Sequence, residues 1–367
     1  MRESFQQTFY RFKELFTEKK WLWGVMAGVL VSSTLLTYWV GTRLSARPTG
    51  AESITLQDAQ NLPDNAEDLS ALTILLLGYG GAGHSGGTLS DVIQVVQLDF
   101  DNRQLALISI PRDSWVTLPN GVQSKINAAY STDLQNGDDN ATIAKNMAQV
   151  VTGFPIDYYI GVDFVGFERI IGQELGGIDV EVATTMTDNW YPIKGEELNL
   201  CGLSPAEMEA AHANYSGFEL EQQFPCRFET VTYPAGTIHM QGGDALKYVR
   251  SRHGNPGGDF ARGVRQQEVL AGIRDKLFTL EGVSNIPRVF QQFADHVQTD
   301  LDAELAEFLW PAIKNSRDYE IVRLNLSTEN VLTGGTSGGG ASIVQPRESW
   351  AAVQAYVQQQ INQAVAE

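Results

Sequence analysis

The chain has 367 residues, a formal net charge of −18 and 43% hydrophobic side chains, which suits one large domain or two small ones with a real core. An acidic surface of this kind argues against nucleic acid or anionic lipid as general partners, while leaving room for one local basic pocket. The two cysteines, Cys201 and Cys226, lack a Cys-x-x-Cys or paired-His zinc pattern; 25 residues apart in an exported region, they permit a disulfide.

Residues 1–20 carry five basic and three acidic side chains and read as a cytoplasmic N-terminus. Trp21 to Val40 is then free of charged side chains. As a helix it would span roughly 30 Å, the thickness of a bilayer core. Trp21, Trp23 and Trp39 lie near its ends, where indoles favour the membrane interface. Arg11, Lys13, Lys19 and Lys20 precede the run and only Arg43 and Arg47 follow closely, so the positive-inside bias puts the remainder outside the cell. A cleaved signal peptide is the competing reading. The run is long for one and no clear small-x-small cleavage site follows, which favours an uncleaved anchor over 21–41. Residues 42–70 read as a polar linker, and 71–367 as an extracytoplasmic domain.

Short runs apolar on both faces predict strands at 73–77, 92–98 and 104–110, the last two joined as a hairpin through Asp99–Arg103. Helical spacing follows at 126–134 and 141–151, a strand at 158–162, a helix at 164–175 stopped by Gly176 and Gly177, and a strand at 178–182. Residues 185–235 are polar and read as an insertion or long loop. Helices are predicted at 242–249, 260–280 (with Asp259 as N-cap), 287–297, 304–315 and 349–365, an extended run at 320–324 and a flexible glycine-rich loop at 334–340. The alternation predicts an α/β fold with a mixed central sheet sandwiched by helices.

Arg250, Arg252, Arg262 and Arg265 fall within 16 residues of this acidic chain. Guanidinium groups bind phosphate through paired charge-assisted hydrogen bonds, so a multiply charged anion such as a diphosphate is one reading and a surface charge cluster paired with nearby carboxylates the other. Arg262, Arg265 and Gln266 share a face near the start of a predicted helix, where backbone N–H groups also favour anions. Arg250 and Arg252 would share a face if extended. Ser109–Asp113 reads Ser-Ile-Pro-Arg-Asp at a strand end; Pro111 leaves the ladder, projecting Arg112 and Asp113 from a fixed turn. Asp91 precedes the second strand and can cap a turn or bind a cation. His253, beside Arg252, reads more readily as a hydrogen-bonded pocket wall than as a catalyst. No phosphate loop, nucleophile elbow or zinc helix motif is present.

In order, these pieces resemble the LytR-CpsA-Psr family of cell-wall enzymes. The matching elements are Leu75–Gly78, Leu89–Ile93, Ser109–Asp113, Lys125–Tyr130, Val162–Phe167, Gly176–Val180 and Tyr248–Gln267, with a weaker match at Val344–Trp350. The resemblance implies a LytR-CpsA-Psr type domain behind one N-terminal transmembrane helix, in a bacterial cell membrane. It implies a magnesium-dependent phosphotransferase that moves a glycopolymer phosphate from a polyprenyl-diphosphate carrier to a peptidoglycan hydroxyl. A polyprenyl-diphosphate hydrolase and a non-catalytic binder of lipid-linked glycans are the alternatives.

Carried over by motif, Asp91 would hold Mg2+. Arg112, Lys125, Arg250, Arg252, Arg262, Arg265 and Gln266 would bind the diphosphate, with Asn127 beside Lys125 at the pocket edge. Arg112 is also placed among the catalytic groups with Asp113 and Asp259, the last two being candidates for the acceptor proton. The apolar core beside the site would house the isoprenoid. One departure stands out. Many members carry Gly-x-Asp-x-Arg after the first strand, whereas Gly78–His84 here has neither an acid nor an arginine. His84, or backbone and water, would have to stand in.

Overall fold

The computed structural model describes residues 66, 69–84, 86–254, 258–279 and 296–366, all within the unit Ser53–Glu367. The predicted N-terminus at 1–20, the anchor at 21–41, nearly all of the linker and most of the helix at 287–297 lie outside the described residues. Among the described residues no helix is long and apolar enough to cross a membrane.

Strand β1 (Ala71–Tyr79) lies in the middle of the sheet order, and its two-faced apolarity fits a strand covered on both sides. Strands β2 (Ser90–Asp99) and β3 (Gln104–Ser109) form the expected hairpin. Its turn is held by Asp99 Oδ1, which accepts from Asn102 N–H at 2.8 Å. Pro111 ends the pairing, and β4 (Trp115–Thr117) with β5 (Gln123–Lys125) forms a small ladder. Helices α1 (Ala128–Asn136) and α2 (Thr142–Thr152) follow. The buried carboxylate of Asp133 accepts the Ile143 and Ala144 N–H groups at 2.8 and 2.9 Å, satisfying donors at the start of α2. Burial pushes that carboxyl up to about 6 despite these bonds.

Strand β6 (Tyr158–Asp163) runs parallel to β1, and Asp163 caps α3 (Phe164–Arg169) by accepting Gly166 N–H at 2.6 Å. The helix predicted over 164–175 continues from α3 as a wider π-helical turn, Ile170–Glu174, and Gly176 and Gly177 stop it at φ 67° and 93°. Strand β7 (Ile178–Val182) leaves the central sheet.

The segment predicted as an irregular loop at 185–235 is ordered into elements. It holds β8 (Met186–Pro192), α4 (Pro205–Asn214), α5 (Gly217–Glu221) and β9 (Phe228–Tyr233), with β8 and β9 antiparallel. Ser204 and Glu207 form a capping box that starts α4. The polar composition reflects helices with little buried surface, not an absence of structure. The permitted bond forms: Cys201 and Cys226 are disulfide-linked, enclosing α4 and α5.

Strand β10 (Gly236–Met240) pairs with β7. Helices α6 (Gly242–Arg250) and α7 (Gly258–Thr279) come next. Asp259 falls in the first turn of α7, and its side chain lies outside the described residues. Strand β11 (Val297–Thr299), helix α8 (Ala303–Asn315) and strand β12 (Glu320–Asn325) complete the central sheet. Its order is β11-β6-β1-β2-β3-β12, with parallel β1/β6 and β3/β12 pairs and antiparallel others, the predicted mixed sheet. The glycine-rich loop expected at 334–340 is instead largely a hairpin, β13 (Leu332–Thr336) with β14 (Ser342–Pro346). Helix α9 (Trp350–Ala366) closes the chain as predicted.

Alternation along the strands fills both faces of the sheet. Leu75, Leu77, Ile93, Val95, Ala106 and Ile108 pack with residues of α1, α2 and α9. Leu72, Leu98, Leu105 and Leu107 point the other way, toward Leu309 of α8. A second core lies between β7–β10 and helices α6 and α7. Helix α7 reaches the strand ends because position 263 is glycine: a Cβ there would collide with Asn325 Oδ1 and sit 3.0 Å from Ser109 Oγ. That approach brings the first turns of α7 to the carboxyl ends of β3 and β12.

Candidate active site

The turn after β3 is built by backbone bonds. Ser114 N–H donates to the Pro111 carbonyl at 3.0 Å, Asn127 N–H to the Arg112 carbonyl at 3.2 Å, and Ser90 N–H to the Asn127 carbonyl at 3.0 Å. The Lys125–Asn127 segment therefore clamps the Arg112 turn against the start of β2. Arg112 then forms an ion pair with Asp91. Its Nε lies 3.8 Å from Asp113 Oδ2, whose other oxygen receives Lys125 Nζ at 2.6 Å.

Of these groups, Arg112 and Asp91 line a cavity of about 540 Å³. Arg112, Arg250, Arg252 and Arg262 all line it, together with Asp91 and Gln266. Apolar side chains share the lining, Ile160, Val162, Phe167, Val269, Ile273 and Leu277 among them. The size and mixed lining match a small-molecule site with convergent polar groups.

Arg250 is the last residue of α6, so it does not share an extended face with Arg252. Its guanidinium carbon lies 4.1 Å from the centre of the Phe164 ring, a cation–π contact. Burial pushes the neighbouring Tyr191 phenol up, with Arg250 and Lys247 acting against it. Arg252 is exposed just beyond the helix, whereas Arg262 is 9% exposed.

Arg262 and Gln266 share the cavity face at the expected spacing, but Arg265 does not line it. Its Nε donates to the Tyr248 carbonyl at 3.0 Å and its Nη2 to the Ser251 carbonyl at 2.5 Å. It thus satisfies carbonyls at the end of α6 and holds the segment that carries Arg250 and Arg252. Burial lowers its affinity for the proton, though Asp188 and Glu268 act against this. Lys125 reaches the site through Asp113 and is not a wall of the cavity.

Three further residues belong to the site. Asp188, 1% exposed, accepts from Trp190 N–H at 2.8 Å, Ser251 Oγ at 2.6 Å and His253 N–H at 3.2 Å. A lone aspartate in a polar stretch gives no sequence signal for this role. Gln94, fully buried in β2, donates to Gln266 Oε1 at 3.3 Å and lines the cavity. An amide inside an apolar strand was the available clue.

Asp163 also lines the cavity and lies beside the loop that lacks an acid. Gly81 is at φ +79°, and a Cβ there would stand 2.7 Å from Asp163 Oδ2. His84 in that loop packs edge-on against Phe164, with ring centres 5.2 Å apart.

The chain belongs to the LytR_cpsA_psr family, whose model matches residues 43–357. It is 28% identical over 266 residues to the polyisoprenyl-teichoic acid–peptidoglycan teichoic acid transferase TagV of Bacillus subtilis, covering 70% of this chain but only 57% of that protein. It is 25% identical over 250 residues to TagU of Enterococcus faecalis, which carries the same functional name, covering 67% of each chain. The structure of TagT bound to LIIa-WTA shares the fold at TM-score 0.53 and 20% identity, over 82% of this chain and 94% of that one.

Proposed function

We propose that the cavity binds a polyprenyl-diphosphate-linked glycopolymer and that the protein transfers the glycan phosphate to a peptidoglycan hydroxyl. The observation that carries this is one cavity of about 540 Å³ lined both by four arginines and by apolar side chains of β6 and α7. An amphiphile with a diphosphate head and an isoprenoid tail satisfies both kinds of lining. The relatives named as teichoic acid transferases supply the reaction class.

The acceptor hydroxyl attacks the phosphorus bonded to the glycan. A new O–P bond forms, the bond from that phosphorus to the carrier's phosphate oxygen breaks, and polyprenyl phosphate leaves with the electron pair. Phosphoryl transfer depends chiefly on positioning and charge stabilisation. Arg112, Arg250, Arg252 and Arg262 supply both, and Arg265 with Asp188 holds two of them in place.

Magnesium commonly uses one or two protein carboxylates and completes its shell with water and substrate phosphate. No cluster of three or more metal-binding side chains occurs among the described residues, so the site suits that sparse mode and not a protein-only cage. Asp91, whose side chain is 40% exposed beside the arginines, would hold the ion, with Asp163 on the same wall. When bound, magnesium would neutralise developing phosphate charge. The uncharged run at 21–40 would anchor the chain in the bacterial cell membrane with this domain outside.

Binding of a polyprenyl diphosphate to the purified full chain tests the reading. Affinity should fall on replacing the diphosphate by a neutral alcohol and in Arg262→Ala. Equal affinity for the alcohol and the diphosphate would remove the arginines from the proposal.

A further inference from the structure

Transfer from a hydroxyl requires a group to receive its proton. Four carboxylates in or beside the cavity already meet donors. Asp91 is paired with Arg112, Asp113 with Lys125 and Arg112, and Asp163 holds the Gly166 N–H; Asp188 accepts three hydrogen bonds. His253 lines the same cavity. Its ring stacks on Phe218, with centres 4.1 Å apart and planes at 19°, and its backbone N–H is fixed by Asp188. Nε2 lies 3.0 Å from Glu221 Oε2, an ion-pair contact to an oxygen that is shielded from solvent and has no hydrogen-bond partner. Phe218 and Glu221 both sit on α5, inside the segment closed by Cys201–Cys226.

Resting on the transferase reading above, we propose that His253 receives the acceptor proton and that Glu221 and Phe218 orient it. An ionised carboxylate oxygen this close repels a lone pair on Nε2, so Glu221 favours the tautomer with hydrogen on Nε2 and leaves the lone pair on Nδ1. As the new O–P bond forms, the acceptor O–H bond breaks and its proton moves to Nδ1. The imidazolium so formed stands near Arg250, Arg252 and Arg262, which disfavour it, and near Glu221 and Asp188, which favour it. Glu221 thus has two effects, orientation and charge compensation, as the carboxylate does in a hydrolase triad. The disulfide-closed segment gains a role: it delivers the orienting groups to a histidine that belongs to the arginine segment.

The test measures transfer by the full chain between about pH 5 and 9, alongside binding of the diphosphate carrier. His253→Gln should lower kcat by about 10²-fold or more and abolish the acid limb of the profile, with carrier binding retained. Glu221→Gln should lower kcat by roughly tenfold and move that limb to lower pH, because the imidazolium loses its anion. A merely structural role would leave the limb in place.

Independently of turnover, ¹⁵N shifts of His253 should report the Nε2–H tautomer in the wild type and a loss of that preference in Glu221→Gln. A His253→Gln protein with an unchanged limb and near-normal kcat overturns the proposal while leaving the function above intact. So does an Asp259→Asn or Asp113→Asn protein that alone loses the limb. Should His253→Gln not fold, an unmoved limb in Glu221→Gln overturns it. A wild-type chain that binds carrier but transfers nothing overturns both readings.

Discussion

Asp188 is the residue whose removal should most clearly separate the supporting framework from the reacting groups. Its 1% exposed carboxylate accepts hydrogen bonds from Trp190 N–H, Ser251 Oγ and His253 N–H, and it faces the buried Arg265. Asp188→Ala leaves three donors without their acceptor. Each hydrogen bond is worth about 1 kcal/mol net, and more where one partner is ionised. Arg265 keeps its carbonyl partners but loses a compensating anion. The sum is about 3–5 kcal/mol, which for a domain of this size lowers the melting temperature by roughly 5–15 °C. Differential scanning calorimetry reads that change. Carrier binding should weaken as well, because Ser251 and His253 flank the exposed Arg252. A variant that melts within about 1 °C of the wild type would refute the reasoning, since even one lost bond should exceed that shift.

Three other outcomes follow from the geometry. Arg112→Ala should cut transfer by about 10²–10³-fold through lost charge stabilisation, while far-UV circular dichroism stays unchanged. Gly81→Ala meets both a positive φ and the Asp163 carboxylate, 2.7 Å from the new Cβ; it should cost about 1–2 kcal/mol by chemical denaturation. Asp133 binds its proton more tightly when folded, at about 6, than when unfolded, so ionising it weakens the fold as pH rises from about 4 to 6. The stability difference between Asp133→Asn and wild type should therefore move in the variant's favour by roughly 2–3 kcal/mol between pH 4 and 7, read by urea denaturation.

The central sheet was readable because its strands obey simple period and polarity rules. Leu75, Ile93 and Ile108 sit in short runs that are apolar on both faces, and the Asp99–Arg103 turn joins two of them. Pro111 announced the Arg112 turn, and the four-residue spacing of Arg262 and Gln266 announced a shared face. Other features depended on tertiary context. The three-residue step from Arg262 to Arg265 equally predicts a common face, but the end of α6 presents carbonyls that take Arg265 out of the cavity. Gly334 and Gly335 resemble loop residues, yet they pair with Val344 and Ile343 in a hairpin. Asp163 appeared within a family motif without an assigned role, and only its approach to Gly81 shows which loop it serves.

The most direct test is a transfer assay with the purified full chain, a short-chain polyprenyl-diphosphate oligosaccharide and a competent peptidoglycan oligomer, with and without magnesium. Mass spectrometry then searches for a glycosyl phosphate on the acceptor. The account predicts an adduct that requires magnesium and disappears in Arg112→Ala, with polyprenyl phosphate as the co-product. Carrier that is bound but never transferred, or that is cleaved by water with no adduct, would contradict it.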